Sequence, residues 1–439
     1  VTIFHKTAAA AISCIQSHEF VWCHSMAATP VGLIDALADH AEANLVNVTL
    51  LQLHLEGAES LCRPALEGHL RNRVFFAGRH TRQLVNEGRA DYVPIFLSEI
   101  PKQFRRGEQT LNTALIQVSP PDRHGNCSLG LSVEATRAAC DVADKIIAHI
   151  NPHMPRTHGE SFIPINDIDH AYTEAVSMIE ILRSEANETQ LKIGEHIAGL
   201  IEDGDCLQMG VGAIPDAALS NLHHLKHLGV HTEMFSDGLL PLLEAGVVDN
   251  SRKSVRRGRT VTGFIMGSSK LYEFVDDNPT VLFLDIEYVN SPMVISRNKQ
   301  VTSINSALQI DLSGQVCADS IGPKIYSGVG GQVDFVLGAT YSEGGKSIIA
   351  LPSTAGKSTA GKGTAAKGSL SRLVTTLSPG AGVVTTRANV DYVVTEYGVA
   401  SLNGRSMAER AQALINIAHP SFREALLKDA REFYGLRLS

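Results

Sequence analysis

The chemistry open to this chain gathers at a few short, glycine-rich stretches. Gly210-Val211-Gly212-Ala213-Ile214-Pro215 follows the strand-like Cys206–Met209 and opens a helical pattern, with Pro215 near the helix start, where proline is favoured. Glycines there let the backbone approach a ligand and leave N–H groups to bind it. A dinucleotide fingerprint would read G-x-G-x-x-G, with an acid ~20 residues on. Glu233 lies 21 residues after Gly212, but Pro215 stands where the third glycine belongs. A tight structural turn is the competing reading.

A second loop, Gly328-Val329-Gly330-Gly331, follows the strand-like Lys324–Tyr326. Three glycines in four residues imply a close backbone approach, to a ligand or within a hairpin or bulge, and Gly331 is expected to need glycine's backbone freedom. Residues 356–362 match G-x-x-x-x-G-K, yet Gly363 replaces the hydroxyl residue that a nucleotide-binding loop gives to magnesium. His223 and His227 are spaced as zinc ligands on an expected helix, beside His224 and His231. No glutamate completes H-E-x-x-H, so a solvated helix end is expected and no metal. Glu233, in HTEMFSDG (231–238), comes after the strand-like Val230–Thr232. Open parallel sheets put their ligand crevice at such C-terminal strand ends; a surface glutamate in a connection is the alternative.

Parallel β-strands must position these loops. Apolar runs of strand length at 45–50, 74–76, 92–96 and 113–118 alternate with helical patterns such as Thr81–Glu87, and the beat returns after Ile193. That alternation means βαβ units. Thr7–Ile15 reads as the first helix, not a secretory segment, because it flows straight into the strand-like 19–22. Tyr172–Ser184 reads as a helical connector, and Asn187–Ile201 as the helix opening a second α/β series. The expected fold is α/β, with domains at 1–190 and 191–439. Ser353–Ser369, made of Gly, Ala, Ser, Thr, Lys and Leu-free low-complexity sequence, reads as a mobile surface loop.

Composition narrows the classes. With 439 residues, 44% hydrophobic and 19% charged, the chain is globular rather than disordered. A net charge of -8 argues against nucleic acid. No run reaches the ~18 apolar residues of a membrane span. Seven scattered cysteines without a C-x-x-C pair fit a reducing cytoplasm, so a cytoplasmic location is expected.

The loop at 210–215, HTEMFSDG, EYVNSPMVISRN (287–298), SINSALQIDLSGQV (303–316), GVGGQVDF (328–335), VTEYGVASLNGRS (394–406) and ALIQVSPPDRHGNCSLGLSVEATRAA (114–139) together resemble the acetyl-CoA hydrolase/transferase family, and within it the 4-hydroxybutyrate CoA-transferases. The resemblance covers nearly the whole chain. It implies two tandem CoA-transferase-type α/β domains with mostly parallel sheets and an active site at their interface. It also implies ping-pong transfer of CoA between an acyl-CoA and a small carboxylic acid, of the 4-hydroxybutyrate, butyrate or acetate type. Glu233 maps onto the catalytic glutamate, and Gly210, Val211, Gly212, Ala213 and Ile214 onto a CoA- and oxyanion-binding loop. Gly328, Gly330 and Gly331 map onto the second glycine loop, with the last two nearest the thioester. Asn290 maps onto a polar contact near CoA, and Asn305–Leu308 onto a backbone contact with it. The implied partners are acyl-CoA and small acids, with no permanent cofactor, no membrane and a homodimer. Two segments depart from the family pattern: the long 353–369 stretch, and His24–Pro30, which lacks the expected glycine and acid.

A carboxylate needs help to act as a nucleophile. Attack on an acyl-CoA builds an oxyanion that backbone N–H groups can receive, and an ionised carboxylate attacks without moving a proton. A hydrolase on the same scaffold is the first alternative, with water replacing the acid; an NAD- or nucleotide-binding protein is the second. Glu287 and Glu396 are the other glutamates that a covalent adduct could occupy.

Overall fold

The computed structural model describes residues 1–181, 185–210, 212–356 and 369–436. The chain forms two compact units. The first takes residues 1–182, 259–290 and 325–330, and the second takes 183–258, 291–324 and 331–439. The first crossing falls at 182/183, against an expected cut at 190/191. The later returns to the first unit have no counterpart in a single cut.

In the first unit, eight strands form one sheet. They are β1 (Ile3–His5), β2 (Phe20–Cys23), β3 (Val48–Gln52), β4 (Leu70–Val74), β5 (Ala90–Tyr92), β6 (Thr113–Val118), β7 (Lys145–Ile150) and β8 (His170–Thr173). The order is β1-β8-β7-β6-β2-β3-β4-β5, and every pairing is parallel. A parallel sheet is covered on both faces, so its strands are continuous apolar runs rather than alternating ones; all of β6 is buried. Helix α1 (Val31–Asn44) buries Leu33, Ile34, Leu37, Ala38 and Ala41, the i, i+3, i+4 stripe that packs a helix on a sheet. A small sheet pairs Val281–Phe283 with Thr260–Thr262 and with His158–Gly159. That pairing ties segment 259–290 to the first unit.

The expected connector helix at Tyr172–Ser184 is not found. Tyr172 belongs to β8, and the following described residues take no helix. Their backbone groups bond at long range instead: Val176 N–H to Asn151 Oδ1, Ile181 N–H to the Gly267 carbonyl, and the Ile179 carbonyl to the Tyr272 hydroxyl.

The second unit holds β9 (Cys206–Met209), β10 (Gly229–Val230), β11 (Val301–Ser306), β12 (Lys346–Ala350), β13 (Tyr392–Thr395) and β14 (Gly398–Ser401). Their order is β10-β9-β11-β12-β13-β14, parallel except for the last pair. Helix α2 (Glu188–Ala198) starts with a capping box between Asn187 and Gln190, which satisfies donors that the first turn leaves open. It packs on α3 (Ala213–Ser220) at close range, since a Cβ on Gly194 would lie 2.7 Å from Ala217. Helix α4 (Gln332–Tyr341) follows the second glycine loop at once, so that loop is not a hairpin. Two sizeable cores result, one around α1 and β3, the other around β13 and the C-terminal helices. Among the described residues, no helix is long and apolar enough to cross a membrane. All seven cysteines are free.

Candidate active site

In the second unit, strand order reverses between β9 and β11. Such a switch point opens a crevice outside the carboxyl ends of the strands. Gly210 leaves β9 there, its N–H 3.3 Å from the Ile304 carbonyl of β11. Val211 lies outside the described residues. Gly212 caps α3 with φ 121° and ψ 177°, backbone that only glycine adopts easily. Among the described residues, nothing stands within 4 Å of a Cβ placed at Gly210 or Gly212. Ala213 and Ile214 form the first turn of α3, with Pro215 third. The first-turn N–H groups of a helix have no intrahelical partner, and proline brings none.

Glu233 lies three residues beyond β10, half-buried, next to this turn in strand order. Its approach is fixed on both sides. The Thr232 hydroxyl contacts the Met209 N–H, the Met209 carbonyl and the Met234 carbonyl at 3.3, 3.2 and 2.9 Å. Beyond Glu233, the Ser236 hydroxyl donates to Asp216 Oδ1 of α3 at 3.3 Å. Gly238 makes room for that carboxylate, because a Cβ there would sit 2.1 Å from Asp216 Oδ1. The Glu233 loop and the glycine-loop helix are therefore held as one piece.

Asn305 sits near the end of β11. Its Nδ2 donates to Gln208 Oε1 at 3.2 Å and to the Ser303 hydroxyl at 2.8 Å. Leu308 N–H is committed to the Cys317 carbonyl at 2.8 Å, which takes that donor away from any ligand. Gln208, Thr232 and, in the first turn of α3, Asp216 carry this edge with no sequence signal beyond their polarity. Of the two other glutamates, Glu396 accepts from the Ser353 N–H and hydroxyl at 2.9 and 2.7 Å. Glu287 is ion-paired with Arg105 at 2.7 Å. Both carboxylates are already engaged.

Gly328, Gly330 and Asn290 belong to the first unit, and Gly331 to the second. Gly328 lies against Phe75 and Phe76: a Cβ would fall 2.8 Å from the Phe75 carbonyl oxygen. The Gly330 carbonyl accepts from Leu97 N–H at 3.1 Å. The left-handed residue is Gly330, φ 59°, not Gly331, φ -98°. The expectation for Gly331 is corrected, because as the N-cap of α4 it needs no positive φ. Asn290 caps a short helix and is fully buried.

The histidine cluster is also corrected. Helix α3 ends at Ser220, where Asn221 Nδ2 bonds back to the Ala217 carbonyl. His223 and His227 therefore share no helix face, and His227 Nδ1 faces Asp249 at 2.7 Å. Among the described residues, no group of three His, Cys, Asp or Glu could hold a metal ion. Residues 357–368, with most of the expected mobile loop and of the nucleotide-loop match, lie outside the described residues.

A β9–glycine turn–α3–β10 unit with an acid after β10 would equally serve a dinucleotide site, so local geometry defines only a ligand-binding doubly wound α/β protein. The comparisons separate the two. Residues 4–183 match the acetyl-CoA hydrolase/transferase N-terminal domain, and 267–430 match its C-terminal domain. The chain belongs to the acetyl-CoA hydrolase/transferase family. It is 45% identical to a 4-hydroxybutyrate coenzyme A transferase of Clostridium kluyveri, covering 97% of each chain. It is 47% identical to a succinyl-CoA:acetate/propanoyl-CoA:succinate CoA transferase of Fasciola hepatica, over 93% of this chain and 84% of the relative. The crystal structure of a 4-hydroxybutyrate CoA-transferase from Porphyromonas gingivalis superposes with a TM-score of 0.82 at 36% identity, covering 98% and 97% of the two chains.

Proposed function

We propose that this chain is a CoA-transferase that moves CoA between an acyl-CoA and a short carboxylic acid, with Glu233 as the nucleophile. The observation that carries the reading is the half-buried Glu233 held beside an open glycine turn at the β9/β11 switch point.

The Glu233 carboxylate attacks the thioester carbonyl of the acyl-CoA. The C–S bond breaks, giving a glutamyl–acyl anhydride and CoA thiolate. The thiolate attacks the glutamyl carbonyl, and the first acid leaves as a carboxylate. The second acid attacks the glutamyl-CoA thioester and expels the thiolate again, leaving a new anhydride. The thiolate takes the new acyl group, and Glu233 is regenerated as a carboxylate. Each addition places negative charge on one oxygen. Backbone N–H groups at Gly212–Ile214 suit that oxygen, and one such donor contributes ~3 kcal/mol to the transition state. Gly331 and Asn305, which lie in the same unit as Glu233, are assigned beside the thioester and CoA. Binding of the long CoA chain offsets the cost of desolvating Glu233.

Initial rates with acyl-CoA and acid both varied test this reading. Parallel double-reciprocal lines are expected, the mark of a covalent intermediate. CoA release at full rate without any acid would assign hydrolysis instead.

A further inference from the structure

The second unit buries a lysine that the proposed chemistry does not use. It stands at β10, the last strand of its sheet, and every residue involved belongs to that unit. On the inner side of β10, the Gly229 and His231 N–H groups donate to the Asp205 and Leu207 carbonyls of the β9 side at 2.9 and 3.1 Å. On the outer side the chain returns beside Leu228 with a single parallel bridge to Val248. It then turns away at Asn250, which takes φ 56°. Side chains complete the outer rungs. Asn250 N–H donates to the Leu228 carbonyl at 3.1 Å, and its Oδ1 accepts from the Val230 N–H at 2.9 Å. Lys253 Nζ donates to the Val230 carbonyl at 2.6 Å. That carbonyl ends β10, and Glu233 follows three residues later.

The site is built to hold this side chain. Lys253 is 4% exposed. Its stem fills the space that a side chain at position 229 would take: a Cβ on Gly229 would fall 2.6 Å from Lys253 Cγ and 3.0 Å from Cδ. The turn that carries it is pinned by the fully buried Asn298, whose Oδ1 accepts from the Ser254 and Val255 N–H groups at 3.1 and 3.0 Å. Burial pushes the Lys253 ammonium down to about 8, so at pH 7 it is still mostly charged. Taking an ammonium out of water is costly, and a neutral donor would satisfy a carbonyl. A charged donor adds a shorter and stronger bond, hence a stiffer strand end.

We propose that Lys253 is a positioning residue for Glu233, its ammonium clamping the end of β10 so that the carboxylate keeps its place beside the glycine turn. This rests on the nucleophile reading and adds the residue that holds the nucleophile. The inner side of the same strand end is fixed by the His231 N–H and by the Thr232 hydroxyl on the Met209 carbonyl. Lys253 fixes the outer side. Without it the strand end is held on one side only and can pivot there. A reacting group displaced by ~1 Å can lose about a hundredfold in rate. Loosening Glu233 therefore acts on turnover rather than on substrate binding.

The test assays Lys253→Met as the full chain, with acetyl-CoA as donor and butyrate as acceptor, after a thermal melt confirms folding. Methionine keeps most of the stem and removes the ammonium. Turnover, kcat, should fall about tenfold or more, with both KM values within about threefold of wild type. A purely structural lysine would lower the melting temperature and leave kcat within about twofold, which overturns the assignment. Lys253→Arg keeps the cation and carries the test if Lys253→Met does not fold. A kcat within about threefold of wild type then supports the clamp, and a loss of about tenfold overturns it. Amide hydrogen exchange of residues 231–236 reads the clamp without turnover. It should run about threefold or more faster in Lys253→Met than in wild type, and equal rates overturn the assignment. Full turnover in Glu233→Ala would sink the nucleophile reading. Faster exchange in Lys253→Met would then still leave Lys253 as the residue that holds the end of β10.

Discussion

Each unit has one switch point, and the two are built in opposite ways. In the second unit β9 runs into Gly210 and Gly212, where no described atom stands within 4 Å of a Cβ. In the first unit the switch point lies between β2 and β6, and side chains fill it. His24 and Ser25 are fully buried there, and Gln117 nearly so. Gln117 Nε2 donates to the Ala28 and Thr29 carbonyls at 3.2 Å each, and its Oε1 accepts from Asn151 at 2.8 Å. His24 accepts from the Gln117 N–H at 3.2 Å and donates to the Ser132 carbonyl at 2.6 Å. Doubly wound topology offers a crevice; side chains decide whether it stays open. An open glycine edge leaves backbone N–H groups for a ligand, whereas a satisfied buried network fixes one conformation.

The largest expected effect breaks the open edge. Glu233→Ala should lower transfer about a thousandfold or more while leaving the melting temperature near wild type. A variant that keeps a tenth of wild-type turnover would remove Glu233 from the nucleophile role.

Next comes the filled edge. Gln117→Leu takes one bond from each of the Ala28 and Thr29 carbonyls and from the Asn151 amide, although the Thr29 carbonyl keeps the Val31 N–H and the amide keeps the Val176 carbonyl. Stability should fall by about 2 kcal/mol in urea unfolding. A loss under about 1 kcal/mol would mean that the network is not what holds this edge.

The two glycines of the open edge then sharpen the contrast. Gly212→Ala meets no atom but must adopt φ 121°, which should cost ~1–3 kcal/mol. Gly210→Ala meets no atom and no positive φ, so stability should stay within about 0.5 kcal/mol. If its turnover nevertheless drops, the empty space is substrate space.

The smallest effect is a pH slope. Burial pushes the His24 pKa down from 6.5 to about 4. Below pH 6.5 the unfolded chain binds a proton that the folded chain refuses, so stability is lost as pH falls from 6.5 towards 4. Between pH 7 and 5.5 wild type should lose about 1 kcal/mol more than His24→Gln. Glu134 works in the opposite direction, because burial raises its pKa to about 7, and it cancels in the comparison. Equal slopes would mean that His24 is not buried neutral.

The second unit's edge was legible in the sequence because its signals are local. A short apolar run, a glycine turn and a helix start occupy consecutive residues at 206–220, and the family resemblance placed Glu233 beside them. What stayed hidden depends on distant partners. The return of 259–290 to the first unit rests on a strand paired with His158–Gly159. The expected helix at Tyr172–Ser184 gives way to bonds with Asn151 and Gly267. The backbone sign that distinguishes Gly330 from Gly331 cannot be read from two adjacent glycines.

Trapping the covalent intermediate tests the central claim most directly. The protein is incubated with acetyl-CoA and no acceptor acid, then reduced with borohydride and digested. Intact mass before reduction should rise by one CoA less one water per chain, and the reduced residue should map to the peptide holding Glu233. An adduct on Glu287 or Glu396 would contradict the residue assignment. No adduct, with CoA released as fast as in the presence of acid, would contradict the transferase mechanism itself.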